Sequence, residues 1–316
     1  TTKTAVYTKE SEIVKSHYTA TNLAYLSLVF MGGPSKVIVE RVQTSDNISD
    51  ALERLKNKRW YYLAVPGLGD GETDTVVEYI KEQRTQYHKT FKAVLPLAAA
   101  DNEGIINFAT DNIKIGAKTY TTAEFCCRIA GILAGLPLNR SATYYTLPEV
   151  ESITESETPD DDVDNGKLIL INDGTKIKIA RGVNSLTTAT EDKGDDFKKI
   201  KIIEAVDMIR DDIRATFEDE FVGKVENSYD NKIVFIAAVN KYFKDLANRG
   251  VLYDKYDNKA EIDIDETREW LSKARDVSSW DDEKIKTANT GTNVFVRASI
   301  QIQDAIEDLK FGIYIE

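Results

Sequence analysis

Two rhythms of apolar and polar positions run along this chain, and one replaces the other past its middle. In the first third, residues 36–42 (KVIVERV) follow a Gly-Gly-Pro break with β-branched side chains and predict a strand. Residues 45–57 predict a helix, because Ser45 or Asp46 can cap it and Ile48, Leu52 and Leu55 recur at helical spacing. Residues 60–65 (WYYLAV) predict the next strand. Residues 73–84 predict the next helix, with Val76, Val77 and Ile80 on one face, and residues 91–97 (FKAVLPL) a third strand. This succession implies right-handed crossovers and a mostly parallel sheet. Beyond residues 102–108, residues 123–136 read as a long apolar helix. Its Ala130, Gly131, Ala134 and Gly135 would let it pack closely against that sheet.

Residues 151–166 read as an acidic linker or loop containing Pro159. Residues 167–171 and 176–180 flank Asn172-Asp173-Gly174-Thr175, a hairpin signal. A second acidic break at residues 191–196 marks the expected boundary between an α/β domain (residues 1–190) and a smaller α+β domain (residues 196–316). Past it, Ile202, Val206, Ile209, Ile213 and Phe217 predict a long amphipathic helix over about 199–221. Residues 233–246 predict a second helix, closed at Asn248-Arg249-Gly250, and residues 265–275 a shorter third. Val294, Val296, Ala298, Ile300 and Ile302 then alternate with Phe295, Arg297, Ser299, Gln301 and Gln303, a period of two. Residues 305–310 interrupt that strand, and residues 311–316 (FGIYIE) resume a β pattern.

Composition changes this picture mainly by exclusion. The 316 residues suit about two domains. A formal charge of −12 argues against nucleic acid, whose phosphates need clustered Lys and Arg. No apolar run approaches the roughly 20 residues that span a bilayer, so a soluble chain without membrane insertion is expected. The two histidines, His17 and His88, lack metal-ligand spacing. Cys126 and Cys127 are adjacent and read as buried helix thiols, so no metal or other cofactor is expected. The chain starts at Thr1 without Met, which leads us to expect a preceding segment.

Candidate chemistry is sparse. Residues 67–71 (GLGDG) form a glycine-rich turn between a strand and a helix, where a phosphate loop would sit. The spacing lacks the third glycine of GxGxxG, and no GK[ST] follows, so a turn needing positive φ is the simpler reading. A nucleotide-binding α/β enzyme using Gly67, Gly69 and Gly71 is kept as the alternative. Asp160, Asp162 and Asp164 suggest a calcium loop, but its register demands Gly and Glu where Asn165 and Ile171 stand. No nucleophile elbow or HExxH occurs. What remains is interaction surface. Phe311, Ile313 and Ile315 share one face of a terminal strand, which either edges its own sheet or completes a sheet on a neighbouring copy.

The ordered series of segments resembles the contractile tail sheath proteins of phages, defective prophages and phage-tail-like bacteriocins of Gram-positive bacteria. Residues 99–108 (AADNEGIINF), 120–150 (YTTAEFCCRIAGILAGLPLNRSATYYTLPEV), 173–187 (DGTKIKIARGVNSLT), 199–252 and 294–316 carry the resemblance. It implies a subtilisin-like, non-catalytic α/β domain with a mixed, mostly parallel sheet, followed by a smaller α+β C-terminal domain. It also implies a structural subunit and not an enzyme. Copies would polymerise in a helical array around an inner tail tube and contract to drive the tube through a target envelope. Partners would be other copies of the chain, the inner tail tube protein, and baseplate and tail-terminator proteins. The location would be a virion or phage-tail-like particle assembled in the bacterial cytoplasm. Strand exchange would use Phe311, Ile313, Tyr314 and Ile315 as the arm, with Val294, Val296, Ile300 and Ile302 in the receiving sheet. The family's N-terminal arm would lie before Thr1. A tube protein, a small β-barrel, would need more strands and far fewer helices.

Overall fold

Strand β1 (Thr4–Tyr7) pairs antiparallel with β2 (Val37–Glu40), with helix α1 (Ala20–Phe30) between them in sequence. This is a computed structural model, and it describes residues 3–43, 47–69, 71–191 and 193–315. The strand expected at residues 36–42 therefore forms, but outside the parallel sheet. Glu40 is tied to Thr4, Arg54 and Lys58, which holds β2 beside β1. Helix α2 (Ile48–Leu55) starts at Asn47, whose side-chain oxygen accepts from the Ser49 N–H. The anticipated caps, Ser45 and Asp46, lie outside the described residues.

Next come β3 (Tyr62–Ala64), α3 (Glu72–Thr85), β4 (Lys92–Pro96) and β5 (Ile105–Phe108). A hairpin of β6 (Ile113–Ile115) and β7 (Lys118–Tyr120) leads into α4 (Thr122–Gly135), whose capping box joins Thr121 and Glu124. After α5 (Pro159–Asp164) come β8 (Lys167–Leu168), β9 (Leu170–Asn172) and β10 (Ile177–Ile179). The central sheet is parallel throughout, in the order β3-β4-β5-β8. Its pleat sorts the core. Val94, Ile106 and Phe108 join Phe125, Ile129 and Ile132 of α4, whereas Ala93, Leu95 and Ile105 join Val76, Val77 and Ile80 of α3. A sheet covered on both faces has no polar side, which explains why these strands read as apolar runs without alternation.

Three sequence expectations are corrected here. The small residues of α4 pack against α1 as well as flanking the sheet. A Cβ on Gly131 would lie 2.2 Å from the Val29 carbonyl oxygen, and one on Gly135 would lie 1.9 Å from that of Gly32. The glycines set the spacing of two helices. The acidic stretch at residues 151–166 is not all loop, because Pro159 at the first helical position and three aspartates in the first turn favour α5. Residues 167–171 split into β8, which joins the parallel sheet, and β9, which makes the anticipated hairpin with β10 (Asn172 opposite Ile177).

The remaining elements are α6 (Ile200–Glu220), α7 (Tyr229–Asn248), β11 (Lys259–Ile262), α8 (Ile264–Ser272), α9 (Asp282–Thr287) and β12 (Val296–Ser299). The chain divides into two compact units: Thr1–Glu204 with Ile306–Glu316, and Ala205–Ala305. In the second unit, β11 and β12 form an antiparallel pair beside α7, whose Phe235, Val239, Phe243 and Leu246 are buried. Gly250, at φ +70°, terminates α7 as its sequence anticipates. Among the described residues no helix is long and apolar enough to cross a membrane.

Candidate subunit interface

Strand β12 has β11 on one side and, among the described residues, no strand on the other. Which backbone groups face the open side follows from one bond. The Asp263 N–H donates to the Phe295 carbonyl, and Ile262 lies opposite Val296. In an antiparallel ladder, bonded and non-bonded pairs alternate. Phe295, Arg297 and Ser299 thus turn their N–H and C=O groups toward β11, and Val296 and Ala298 turn theirs away. Past Ser299 the alternation continues. Tyr253 donates to the Gln301 carbonyl and the Gln303 N–H donates to that of Val251, which leaves Ile302 facing outward.

The opposite edge of the pair is closed. Ala260 points away from β12, and the Asn240 amide on α7 both accepts from its N–H (2.7 Å) and donates to its carbonyl (3.2 Å). One edge is capped by a side chain and the other is open. On the open strand Val294, Val296, Ile300 and Ile302 are half-buried, Arg297, Ser299, Gln301 and Gln303 are exposed, and Phe295 lies against Trp270 (centroids 6.1 Å apart). Arg297 is held by Glu261 (3.0 Å) and Asp265 (3.2 Å). The period-two pattern is realised in part: Ala298 is exposed like its neighbours and Phe295 is half-buried against Trp270, and the regular strand is shorter than residues 294–303.

The terminal segment is a different case. Residues 311–315 take no regular secondary structure and join no sheet of their own chain, which corrects the expected β conformation; Glu316 lies outside the described residues. Phe311 is 77% exposed, Ile313 75%, and Tyr314 and Ile315 94% each. A strand needs a partner strand for its N–H and C=O groups, and among the described residues no strand pairs with this segment.

The other candidates carry little chemistry. Gly71 adopts φ +84°, the backbone that the turn reading requires. The Gly69 N–H donates to the Glu72 carboxylate (2.7 Å), so the chain's own acid takes an amide that a phosphate would need; Asp70 lies outside the described residues. His17 and His88 are both exposed. Cys126 and Cys127 are buried on α4, as anticipated. Burial, then the Glu124 charge, pushes the Cys127 thiol up to about 12, far from a reactive thiolate. Asp162, one of the suspected calcium ligands, pairs with Lys167 (2.6 Å).

Sequence reasoning missed Asn240. It stands four residues after buried Ile236 and three before buried Phe243, a polar residue in an apolar stripe, and that interruption is the signal that could have found it.

Comparison with known proteins bears on this geometry. Residues 42–185 match the phage tail sheath protein central domain, and residues 192–316 the phage tail sheath C-terminal domain. The tail sheath protein of Clostridium phage phiCD119 is 36% identical over 317 residues, covering 97% of this chain and 88% of that protein. The fold is similar to the helical sheath of the anti-feeding prophage in its contracted state (TM-score 0.70, 12% identity, 99% of this chain and 88% of that one). It is also similar to the sheath tail protein of Desulfitobacterium hafniense (TM-score 0.62, 19% identity), where 72% of this chain spans 60% of the other.

Proposed function

The chain belongs to the phage tail sheath family, and on that premise we propose that it is a structural subunit that polymerises with its own copies around an inner tail tube and contracts to drive that tube through a target envelope. The observation that carries the reading is a complementary pair within one chain. The outer edge of β12 is an open strand edge, and residues 311–315 are an apolar β pattern without a partner. An open strand edge and an apolar β pattern outside any sheet can meet between copies, by addition of a strand to an exposed sheet.

In this reading Phe311, Ile313, Tyr314 and Ile315 of one subunit extend the sheet that Val294, Val296, Ile300 and Ile302 of a neighbour present. Residues 1–190 act as the subtilisin-like, non-catalytic sheath domain and residues 196–316 as the C-terminal domain, whose terminal arm is the part of that span that groups with the first compact unit. The baseplate and tail-terminator proteins close the two ends of the array, in a virion or phage-tail-like particle assembled in the bacterial cytoplasm. The chain works by lattice contact and not by catalysis.

The test is deletion of residues 311–316. Their side chains are exposed, so the loss should change monomer stability by no more than about 0.5 kcal/mol. Polymers visible by negative-stain electron microscopy should disappear. Sheath-like tubes of normal length from the deleted chain would overturn the exchange role.

A further inference from the structure

The exposed arm does not begin where the last strand ends. Between them, residues 307 and 308 are gripped by the first compact unit, to which residues 306–316 belong. Arg181 reaches both carboxylates, with Nη1 at 3.2 Å from Glu307 and Nη2 on Asp308. The Ser141 hydroxyl donates to the other Glu307 oxygen at 2.6 Å. Both halves of this grip stand on fixed backbone. The Gly182 N–H donates to the Thr143 hydroxyl (2.9 Å), the Thr143 N–H donates to the Ser141 oxygen (3.1 Å), and the Ala180 N–H donates to the Ile169 carbonyl (2.9 Å). On either side of the grip the chain is bare: Ile306 is 99% exposed and Leu309 84%.

We propose that Arg181, with Ser141, is a clasp that fixes the origin and direction of the C-terminal arm, so that the arm is presented to a neighbouring copy instead of wandering from its own subunit. The inference rests on the strand-exchange reading above. The clasp shortens the tether. Residues 309–315 number seven, which reach about 23–25 Å when extended. Opening the clasp releases at least residues 306–308 as well, giving ten. Effective concentration falls roughly as the −3/2 power of tether length, so the longer tether alone lowers it about 1.7-fold, before any loss of direction. A guanidinium fork suits this task, because it can hold two carboxylates at fixed angles where an ammonium would hold one as a point charge.

The experiment uses the full chain and three variants: Arg181→Glu, the charge swap Arg181→Glu with Glu307→Arg and Asp308→Arg, and Glu307→Gln with Asp308→Asn. Each is followed by the protein concentration at half-maximal sedimentable polymer. A fluorophore on Leu309→Cys reports arm mobility. Arg181→Glu should raise the half-maximal concentration at least twofold and loosen the label, with the monomer's melting temperature unchanged. The charge swap should restore both readouts, which a merely structural arginine would not allow. Should Arg181→Glu fail to fold, the Glu307→Gln/Asp308→Asn variant decides, because its changes lie in the tail. Polymer formation like the parent's in either variant, or a folded charge swap that restores nothing, would overturn the clasp. Deletion of residues 311–316 separates the two ideas. Normal assembly after deletion defeats the exchange reading itself, whereas blocked assembly after deletion with unaffected clasp variants defeats the clasp alone.

Discussion

Proline at two adjacent positions of β12 should give opposite results. Proline has no N–H, and at a strand edge it is tolerated only where that N–H would face away from the ladder. Ala298 turns its N–H to the open side, so Ala298→Pro removes no bond of the folded chain and should cost the monomer under about 1 kcal/mol. Arg297 turns its N–H to Glu261. Arg297→Pro removes that ladder bond and strands its carbonyl partner, at about 1–3 kcal/mol. It also loses two ion pairs, to Glu261 and Asp265, which are exposed and screened by solvent. Assembly should separate Ala298→Pro from the parent where monomer stability barely does. An incoming strand would lose one ladder bond there, about 1 kcal/mol, and would meet the ring. At about 1.4 kcal/mol per tenfold, the concentration needed for polymer rises about fivefold or more. Urea unfolding of dilute monomer followed by circular dichroism reads the first quantity, and sedimentation reads the second. If both prolines destabilise the monomer equally, the edge assignment is wrong. If Ala298→Pro assembles like the parent, the open edge is not where copies join.

Two further outcomes bear on the fold that supports this edge. Gly131→Ala places a methyl 2.2 Å from the Val29 carbonyl oxygen, so α1 and α4 must separate by about 1.2 Å to reach ordinary contact near 3.4 Å. Overpacking of about 3 kcal/mol, less about 1 kcal/mol of helix propensity, leaves a net loss of about 2 kcal/mol, or about 4–8 °C in melting temperature. Gly67→Ala, with open space at its Cβ, is the control, and equal melting temperatures for the two would sink the account. The second outcome concerns acid. Burial would raise the Glu103 carboxyl, but Arg84 at 3.4 Å and Lys193 at 2.9 Å outweigh it and hold the group below the usual carboxylate range. A depressed folded value contributes stability above the unfolded value near 4.3 and loses it as pH falls through the folded one. Thermal melts between pH 6 and pH 3 should show a steeper decline for the parent than for Glu103→Gln, and parallel declines would refute this.

Much of the architecture is legible in local pattern. The helical spacing of Val76, Val77 and Ile80, the Asn172-Asp173-Gly174-Thr175 turn and the alternation from Val294 to Gln303 each name an element, because side-chain direction repeats every 3.6 or every 2 residues whatever the neighbours are. The family, too, is legible in the order of such segments. Partnership is not. Nothing in residues 36–42 says that β2 pairs with β1 and not with the parallel sheet, and nothing in Gly131 says that its close neighbour is Val29, since both are set by contacts distant along the chain. The candidate interface divides in the same way. Sequence alone marked Val294, Val296, Ile300 and Ile302 as an alternating apolar set around what becomes β12, and it predicted for Phe311, Ile313 and Ile315 a strand that the folded chain does not form. Only the tertiary structure decided which edge of β12 stays open. Backbone groups carry no sequence signature, and their occupancy depends on what folds beside them: Asn240 closes the edge of β11, Asp263 and Tyr253 bond one side of the chain from Phe295 to Gln301, and nothing described in this chain bonds the other.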